Sequence, residues 1–250
     1  MHRTATAAAA SILFALLGLS ASPLLAADDE TADHDAVEAR LSGLVPETTD
    51  VAINESPIDG VLEVRLGGDV VYMSDDGKHL FQGRLIDLDT REDLTGRAQN
   101  AIRQERIADI DPDQFITFGP DNPTHRLMVF TDPDCGYCRR LHEQIDSYVA
   151  EGIEINYMGF PRAGENSATF DKLVSVWCAA DQHQAMTTAK AGGELPARDC
   201  DHPVSEHYQL GQDMGVTGTP ALMGFDGSLI PGFVPADELK ARLDQQANAR

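Results

Sequence analysis

Residues 127–138 read Leu127-Met128-Val129-Phe130-Thr131-Asp132-Pro133-Asp134-Cys135-Gly136-Tyr137-Cys138. The apolar run that opens it predicts a strand buried on both faces. The two cysteines follow at once. Arg139 to Ala150 then predicts a helix, with Leu141, Ile145 and Val149 at i, i+4 and i+8, closed by Glu151-Gly152. Ile153-Glu154-Ile155-Asn156-Tyr157-Met158 is the next strand. Strand, helix, strand implies a parallel pair joined by a right-handed crossover. The cysteines therefore sit where a strand hands over to a helix, with Cys135 at the helix N-terminus.

That location carries chemistry. Unpaired backbone N–H groups and the positive end of the helix dipole favour an anion there. A thiolate at Cys135 is stabilised, and its pKa falls below the ordinary ~8.5. More thiolate means faster attack on a foreign disulfide and easier departure when a mixed disulfide is resolved. Cys138 lies one turn further in, more buried, and is suited to resolving. Asp134 opposes thiolate formation. A zinc site needs a second close Cys or His pair, which Cys178 and Cys200 do not provide, so no metal is expected. Haem attachment needs His after the second cysteine, and Arg139 stands there. An inert structural disulfide is the remaining alternative, and the strand-to-helix position argues against it. Cys135, Cys138, Cys178 and Cys200 allow three pairings. A close pair beside a widely separated one suggests one tight, reactive bridge and one longer, structural bridge.

Downstream, residues 164–215 read as mostly helical, broken by Gly192-Gly193 and Pro196. Trp177 and Tyr137 read as packing and rim groups. His142, His183 and His207 read as surface residues rather than ligands. Thr219-Pro220 precedes a strand over Ala221-Leu222-Met223-Gly224-Phe225, and alone it reads as an ordinary trans proline at a strand boundary. Asp226-Gly227 turns the chain into Leu229-Ile230, and 237–247 is a closing helix.

Upstream, Thr90-Arg91-Glu92-Asp93 resembles a capping arrangement. It opens an exposed helix over 93–109, with Leu94, Ala98, Ile102 and Ala108 near one face. From Val51 to Leu88 the pattern is of short strands, including Val61 to Leu66, Val70 to Met73, His79 to Phe81 and Leu85 to Leu88, with turns at Gly67-Gly68 and Asp76-Gly77. So small an antiparallel unit often needs a partner. Before it, Val37, Leu41 and Leu44 predict a short helix ended by Pro46. His2 and Arg3, an apolar run from Ala5 to Leu19, and Ala26-Ala27 before Asp28-Asp29-Glu30 have the layout of a secretory signal peptide. The run is short for a membrane span. Export would let disulfides persist.

The chain has 250 residues, 42% of them hydrophobic, enough for one or two globular domains. Its 41 acidic and 19 basic residues give a formal charge of -22, with no Lys/Arg cluster to offset it. Such a surface repels phosphate backbones, so nucleic acid is excluded as a partner.

Taken together, several segments resemble a known family. The run from Phe130 to Cys138, then Leu141-His142-Glu143-Gln144, Gly159-Phe160-Pro161-Arg162, Trp177-Cys178-Ala179 and Gly215-Val216-Thr217-Gly218-Thr219-Pro220-Ala221 occur in the order seen in the bacterial periplasmic disulfide isomerases of the DsbC/DsbG family. The resemblance extends upstream through Asp75-Asp76-Gly77-Lys78-His79 and Gln82-Gly83. Gly136-Tyr137 is closer to DsbC than to its sibling DsbG, which has proline first.

The resemblance implies an α+β chain. A signal peptide (1–26) precedes a small antiparallel-sheet dimerisation domain (27–92), a linker helix (93–110) and a thioredoxin-like α/β domain with a helical insertion (111–250). It makes Cys135 the attacking thiol and Cys138 the resolving one. It places Gly136, Tyr137, Thr219 and Pro220 around bound substrate, with Thr219-Pro220 as a cis-proline loop, and pairs Cys178 with Cys200 in a structural disulfide. It implies a periplasmic homodimer, with no cofactor, that rearranges disulfides in unfolded or misoxidised exported proteins, has chaperone-like binding, and takes electrons from a membrane reductase of the DsbD type. Two other functions compete: a monomeric oxidase like DsbA, against which the 28–92 unit argues, and a chaperone without redox turnover.

Overall fold

The structure, a computed structural model, describes residues 34–46 and 49–248. The segment read as a signal peptide lies outside the described residues. The chain begins with α1 (His34–Leu41) and a four-stranded meander of β1 (Val51–Glu55), β2 (Val61–Leu66), β3 (Asp69–Ser74) and β4 (Leu80–Phe81). All neighbours in that sheet are antiparallel, with Val64 opposite Val71. The two-residue period turns Leu62 and Val64 to one face, where Val37 and Leu41 of α1 cover them. The expected three-residue stripe on α1 is cut short. A turn at Ser42-Gly43 ends the helix, Leu44 N–H bonds back to the Leu41 carbonyl, and Leu44 is exposed.

Leu85 to Leu88 does not form the expected strand. The Asp87 carboxylate accepts from the N–H groups of Asp89 and Thr90 (2.9 Å each), so a side-chain-capped turn replaces extended backbone. What remains is a single bridge between Ile86 and Asp93.

The next helix, α2 (Leu94–Ile107), is capped by Asp93 rather than Thr90: its carboxylate accepts from the Gly96 N–H at 3.0 Å. Nor is α2 merely exposed. Ile102 packs on Val70 and Tyr72 of β3, and Ile107 joins Phe115 and Met128 in another core. Arg103 is buried and donates to the Met214 carbonyl (2.9 Å) and the Gly227 carbonyl (3.4 Å). Two glycines permit the close approaches around it. A Cβ at Gly68 would meet the Asp213 carbonyl oxygen at 1.8 Å, and one at Gly227 would meet the Asn100 carbonyl oxygen at 2.0 Å.

The second sheet contains β5 (Ile116–Phe118), β6 (His125–Thr131), β7 (Ile153–Gly159), β8 (Ala221–Gly224) and β9 (Leu229–Pro231), in the order β5-β7-β6-β8-β9. β6 and β7 are parallel, as the strand–helix–strand pattern implies; the other neighbours are antiparallel. Along β6, Leu127 and Val129 enter one core and Met128 and Phe130 the other. Both faces are buried, which is why the run is apolar without alternation. Around the sheet lie α3 (Gly136–Glu143), α4 (Ile145–Ala150), α5 (Ala168–Trp177), α6 (Gln182–Lys190), α7 (Val204–Asp213) and α8 (Ala236–Asn248). The single helix expected over 139–150 breaks at Gln144 (φ -105°, ψ 15°). The break turns the second half, so Tyr148 rather than Val149 is fully buried, its hydroxyl donating to the Val234 carbonyl at 2.5 Å.

Candidate active site

β6 ends at Thr131, and Asp132-Pro133-Asp134 turns the chain into α3. Cys135 is the N-cap of α3, with extended backbone (φ -83°, ψ 121°) and no capping side-chain bond. Its N–H donates to the Asp132 carbonyl (3.2 Å), and its carbonyl accepts from Arg139 N–H (3.0 Å). Cys138 falls one turn inside and is 1% exposed; Cys135 is 4% exposed, and Tyr137 beside them is 62% exposed. Among the described residues both are free thiols, and Cys178 is bonded to Cys200, tying the end of α5 to the segment before α7.

The loop before β8 closes over the dithiol. The Thr219–Pro220 peptide bond is cis, and the Cys135 thiol donates to the Thr219 carbonyl at 3.2 Å. A groove of about 170 Å³ runs along this loop, lined by Val216, Gly218, Thr219, Pro220 and Pro231. The Thr219 hydroxyl is buried beside the dithiol.

Opposed effects act on Cys135. The Cys138 thiol, as a hydrogen-bond donor, favours the thiolate; burial opposes it; the Thr219 hydroxyl and the N–H groups of Cys138 and Tyr137 favour it again. The contact with the Thr219 carbonyl suits only the protonated thiol. Several donors converge on one sulphur against one acceptor, and the pKa of Cys135 lies well below the ordinary thiol value. For Cys138 the order reverses: burial and its role as donor to Cys135 push its pKa up.

The surrounding charges are compensated. The buried Asp132 carboxylate accepts from the N–H groups of Asp134 (2.7 Å) and Arg162 (3.0 Å) and pairs with the Arg162 guanidinium at 3.1 Å. Burial works against the Asp134 carboxylate, but Lys172, Thr169 and Arg139 outweigh it and hold its pKa below the usual carboxylate range. The opposition expected from Asp134 is thus largely neutralised by its own partners.

Two of the three histidines read as surface residues are buried. His142 bonds the Tyr157 hydroxyl (3.1 Å) and the Thr187 hydroxyl (3.0 Å), and burial lowers its pKa to about 4. His207 accepts from the Gly159 N–H at 3.2 Å, and burial lowers its pKa to about 3. Both helices turn these rings inward against the sheet, which a lone His in a helical pattern does not reveal. His183 is exposed, stacked near Phe118. Trp177 packs in the core and donates to the Gln114 carbonyl (2.9 Å). Sequence reasoning missed Lys190, which is buried against the turn that carries the dithiol, its ammonium donating to the Asp132 carbonyl at 3.1 Å. The available signal was its place on the apolar face of α6, beside Met186 and Ala189.

Residues 112–247 match the family model of a thioredoxin-like domain, and residues 26–96 match that of the disulfide bond isomerase protein N-terminal domain. The thiol:disulfide interchange protein DsbC of Dickeya dadantii is 38% identical over 93% of this chain and 94% of its own. The DsbC proteins of Salmonella typhimurium and Escherichia coli K12 are each 34% identical, over 94% and 86% of this chain and 94% and 89% of their own lengths. A solved disulfide interchange protein from Neisseria gonorrhoeae shares 28% identity over 54% of this chain and 97% of its own, with a TM-score of 0.48. With both domain models matched in order and more than a third of residues shared across nearly the full length, the chain belongs to the DsbC family of thiol:disulfide interchange proteins.

Proposed function

We propose that the chain rearranges incorrect disulfides in exported proteins, with Cys135 as nucleophile and Cys138 as resolving thiol. The observation that carries this reading is the division of labour between the two sulphurs: one with a lowered pKa at a helix N-terminus, the other buried and protonated one turn behind. The Cys135 thiolate attacks a substrate disulfide and forms a mixed disulfide. A substrate thiol then re-pairs and frees Cys135, or Cys138 displaces the substrate and leaves it reduced. The exposed Tyr137, Gly136 and the groove beside Thr219-Pro220 form the surface against which substrate backbone would lie. Cys178–Cys200 serves as the structural bridge.

The same reading makes 27–92 a dimerisation domain, followed by the helix within 93–110 and the thioredoxin-like domain from 111. Leu80 and Phe81 on the edge strand β4, with Ile86 and Leu88 beyond it, are exposed apolar side chains that a second copy would cover. Paired chains would offer a cleft for unfolded protein and so chaperone-like binding. Residues 1–26 act as a signal peptide and the working compartment is the periplasm; among the described residues no helix is long and apolar enough to cross a membrane. A membrane reductase of the DsbD type returns the dithiol to its reduced form.

The test is refolding of a scrambled multi-disulfide protein. Wild type is expected to restore native pairing and Cys135→Ser to lose that activity. Equal recovery by both would leave the dithiol without a catalytic role.

A further inference from the structure

Lys190 ends α6 and is 3% exposed. Its ammonium donates to the Thr131 hydroxyl and to the Asp132 carbonyl (3.1 Å), and lies 5.7 Å from the centre of the Tyr157 ring. The Asp132 carbonyl also accepts the Cys135 N–H, so one oxygen ties the ammonium to the turn that carries the dithiol. The neighbouring carboxylates are committed elsewhere, Asp132 to Arg162 and Asp134 to Arg139 and Lys172. Among the described residues, none comes within ion-pair distance of Lys190. A buried cation without an ion-paired carboxylate is costly, and the structure keeps one here. In the reduced protein the Cys135 thiolate helps to balance it; in a mixed disulfide Cys135 is covalently bound and uncharged, and the anion left to balance the ammonium is the Cys138 thiolate.

We propose that Lys190 is the proton acceptor and donor for Cys138 in the step that resolves a mixed disulfide. The proposal rests on the roles given to Cys135 and Cys138 above. In the mixed disulfide, the neutral Lys190 amine takes the proton from the Cys138 thiol, leaving a thiolate beside an ammonium. The thiolate attacks Cys135 Sγ; the Cys135–Cys138 bond forms, the bond from Cys135 to the substrate sulphur breaks, and the substrate leaves as a thiolate. The dithiol is oxidised by two electrons and the substrate disulfide is reduced by two. In reverse, a donor thiolate attacks Cys135, and Cys138 departs with its proton returned from Lys190.

The surroundings suit this exchange. The charged and titratable groups around the amine are Cys135 at the N-cap of α3, Cys138, Arg139 and His142 from α3, Asp132 just after β6, and Tyr157 on β7. Burial lowers the ammonium pKa to about 8, and of the ionisable groups around it Cys138 acts on it most strongly. An acid–base group performs best with a pKa near the working pH. Burial alone would leave Cys138 a reluctant thiol; transfer to the Lys190 amine, held at the turn that carries the dithiol, leaves opposite charges in a site of low dielectric, where they attract strongly.

A symmetric nitroaryl disulfide mixed with the reduced protein separates the two steps. It releases one coloured thiolate when Cys135 attacks and a second when Cys138 resolves. In Lys190→Met the second release is expected to slow about 100-fold at neutral pH, with its rate climbing into the alkaline range where Cys138 must ionise unaided. The first release should change little. Lys190→Arg keeps the charge but cannot take a proton, so it should remain slow. A second release as fast in Lys190→Met as in wild type at every pH would overturn the proposal. Loss of the first release in wild type would instead refute the role of Cys135. Should the variants not fold, wild type still decides. The chain has four lysines, Lys78, Lys172, Lys190 and Lys240, and their side-chain carbons can be followed by NMR. The Lys190 signal should titrate below the ordinary ~10.4 and move when the dithiol is oxidised. An ordinary titration, indifferent to oxidation, would also overturn the proposal.

Discussion

At Cys135, a charge preference is written into one sulphur's surroundings. The helix N-terminus supplies N–H donors, and the Cys138 thiol adds another. Alkylation of the reduced protein should therefore be fast and level off well below pH ~8.5, where an ordinary thiol is only half ionised. Cys138 should resist the reagent, since burial and its role as donor to Cys135 keep its thiol protonated. The sign of the stability effect follows from the depressed folded pKa. The thiolate's contribution to the reduced fold is complete above the unfolded value near ~8.5 and declines as pH falls toward the folded value. The melting temperature of reduced wild type, measured against Cys135→Ser, should lose its advantage as pH is lowered from 8.5; an advantage that grows on acidification would mean the thiol is held protonated. The helix-terminus effect was legible in the sequence because it needs only a strand followed by a helix. The placement of Thr219 beside Cys135 came only through the family resemblance and that of Lys190 not at all, because each depends on a segment remote in the chain arriving at the same turn.

Among the elements, α2 is the least expected in its contacts. Its apolar spacing was legible, and Ile102 does face β3. The hidden part is Arg103, which the sequence presents as one more charge on an exposed helix. In the structure it reaches the last turn of α7 and the hairpin after β8 through the carbonyls of Met214 and Gly227. Arg103→Met keeps much of the stem's packing and removes the donors. A buried acceptor left unsatisfied costs about 1–3 kcal/mol, and for a chain of this size each kcal/mol corresponds to about 2–4 °C. A drop of several degrees in melting temperature is expected for Arg103→Met, with the first thiolate release of the reduced protein retained; an unchanged melting temperature would mean those carbonyls find other partners. The helix break at Gln144 and the lost strand at Leu85 to Leu88 have a common origin. Periodicity reports which residues prefer burial, whereas the Asp87 side chain and the Gln144 backbone decide where an element stops.

For the molecule as a whole, the formal charge of -22 bears on assembly. Two such chains repel at long range, and salt screens that repulsion over about 10 Å at 0.1 M. If exposed apolar groups such as Leu80, Phe81 and Leu88 hold the dimer, raising salt should strengthen it. Sedimentation across salt concentrations is expected to show a dimer whose dissociation constant falls as salt rises. A monomer at all concentrations would remove the dimer reading and favour a stand-alone oxidase, and a constant that rises with salt would show that ion pairs hold the interface.

The sequence by itself determined the location of the chemistry. A buried strand, a dithiol and a helix in that order admit one arrangement, because local periodicity and the crossover rule act within a short stretch of chain. It also determined the antiparallel meander, since tight turns at Gly67-Gly68 and Asp76-Gly77 leave neighbouring strands little choice of partner. Only the tertiary structure decided which polar groups went inside. His142, His207, Arg103 and Lys190 look solvent-loving in the chain, and each is buried because a distant carbonyl, hydroxyl, N–H or aromatic face meets it. Burial of a polar group is settled by its partner, and that partner's arrival is a property of the whole fold.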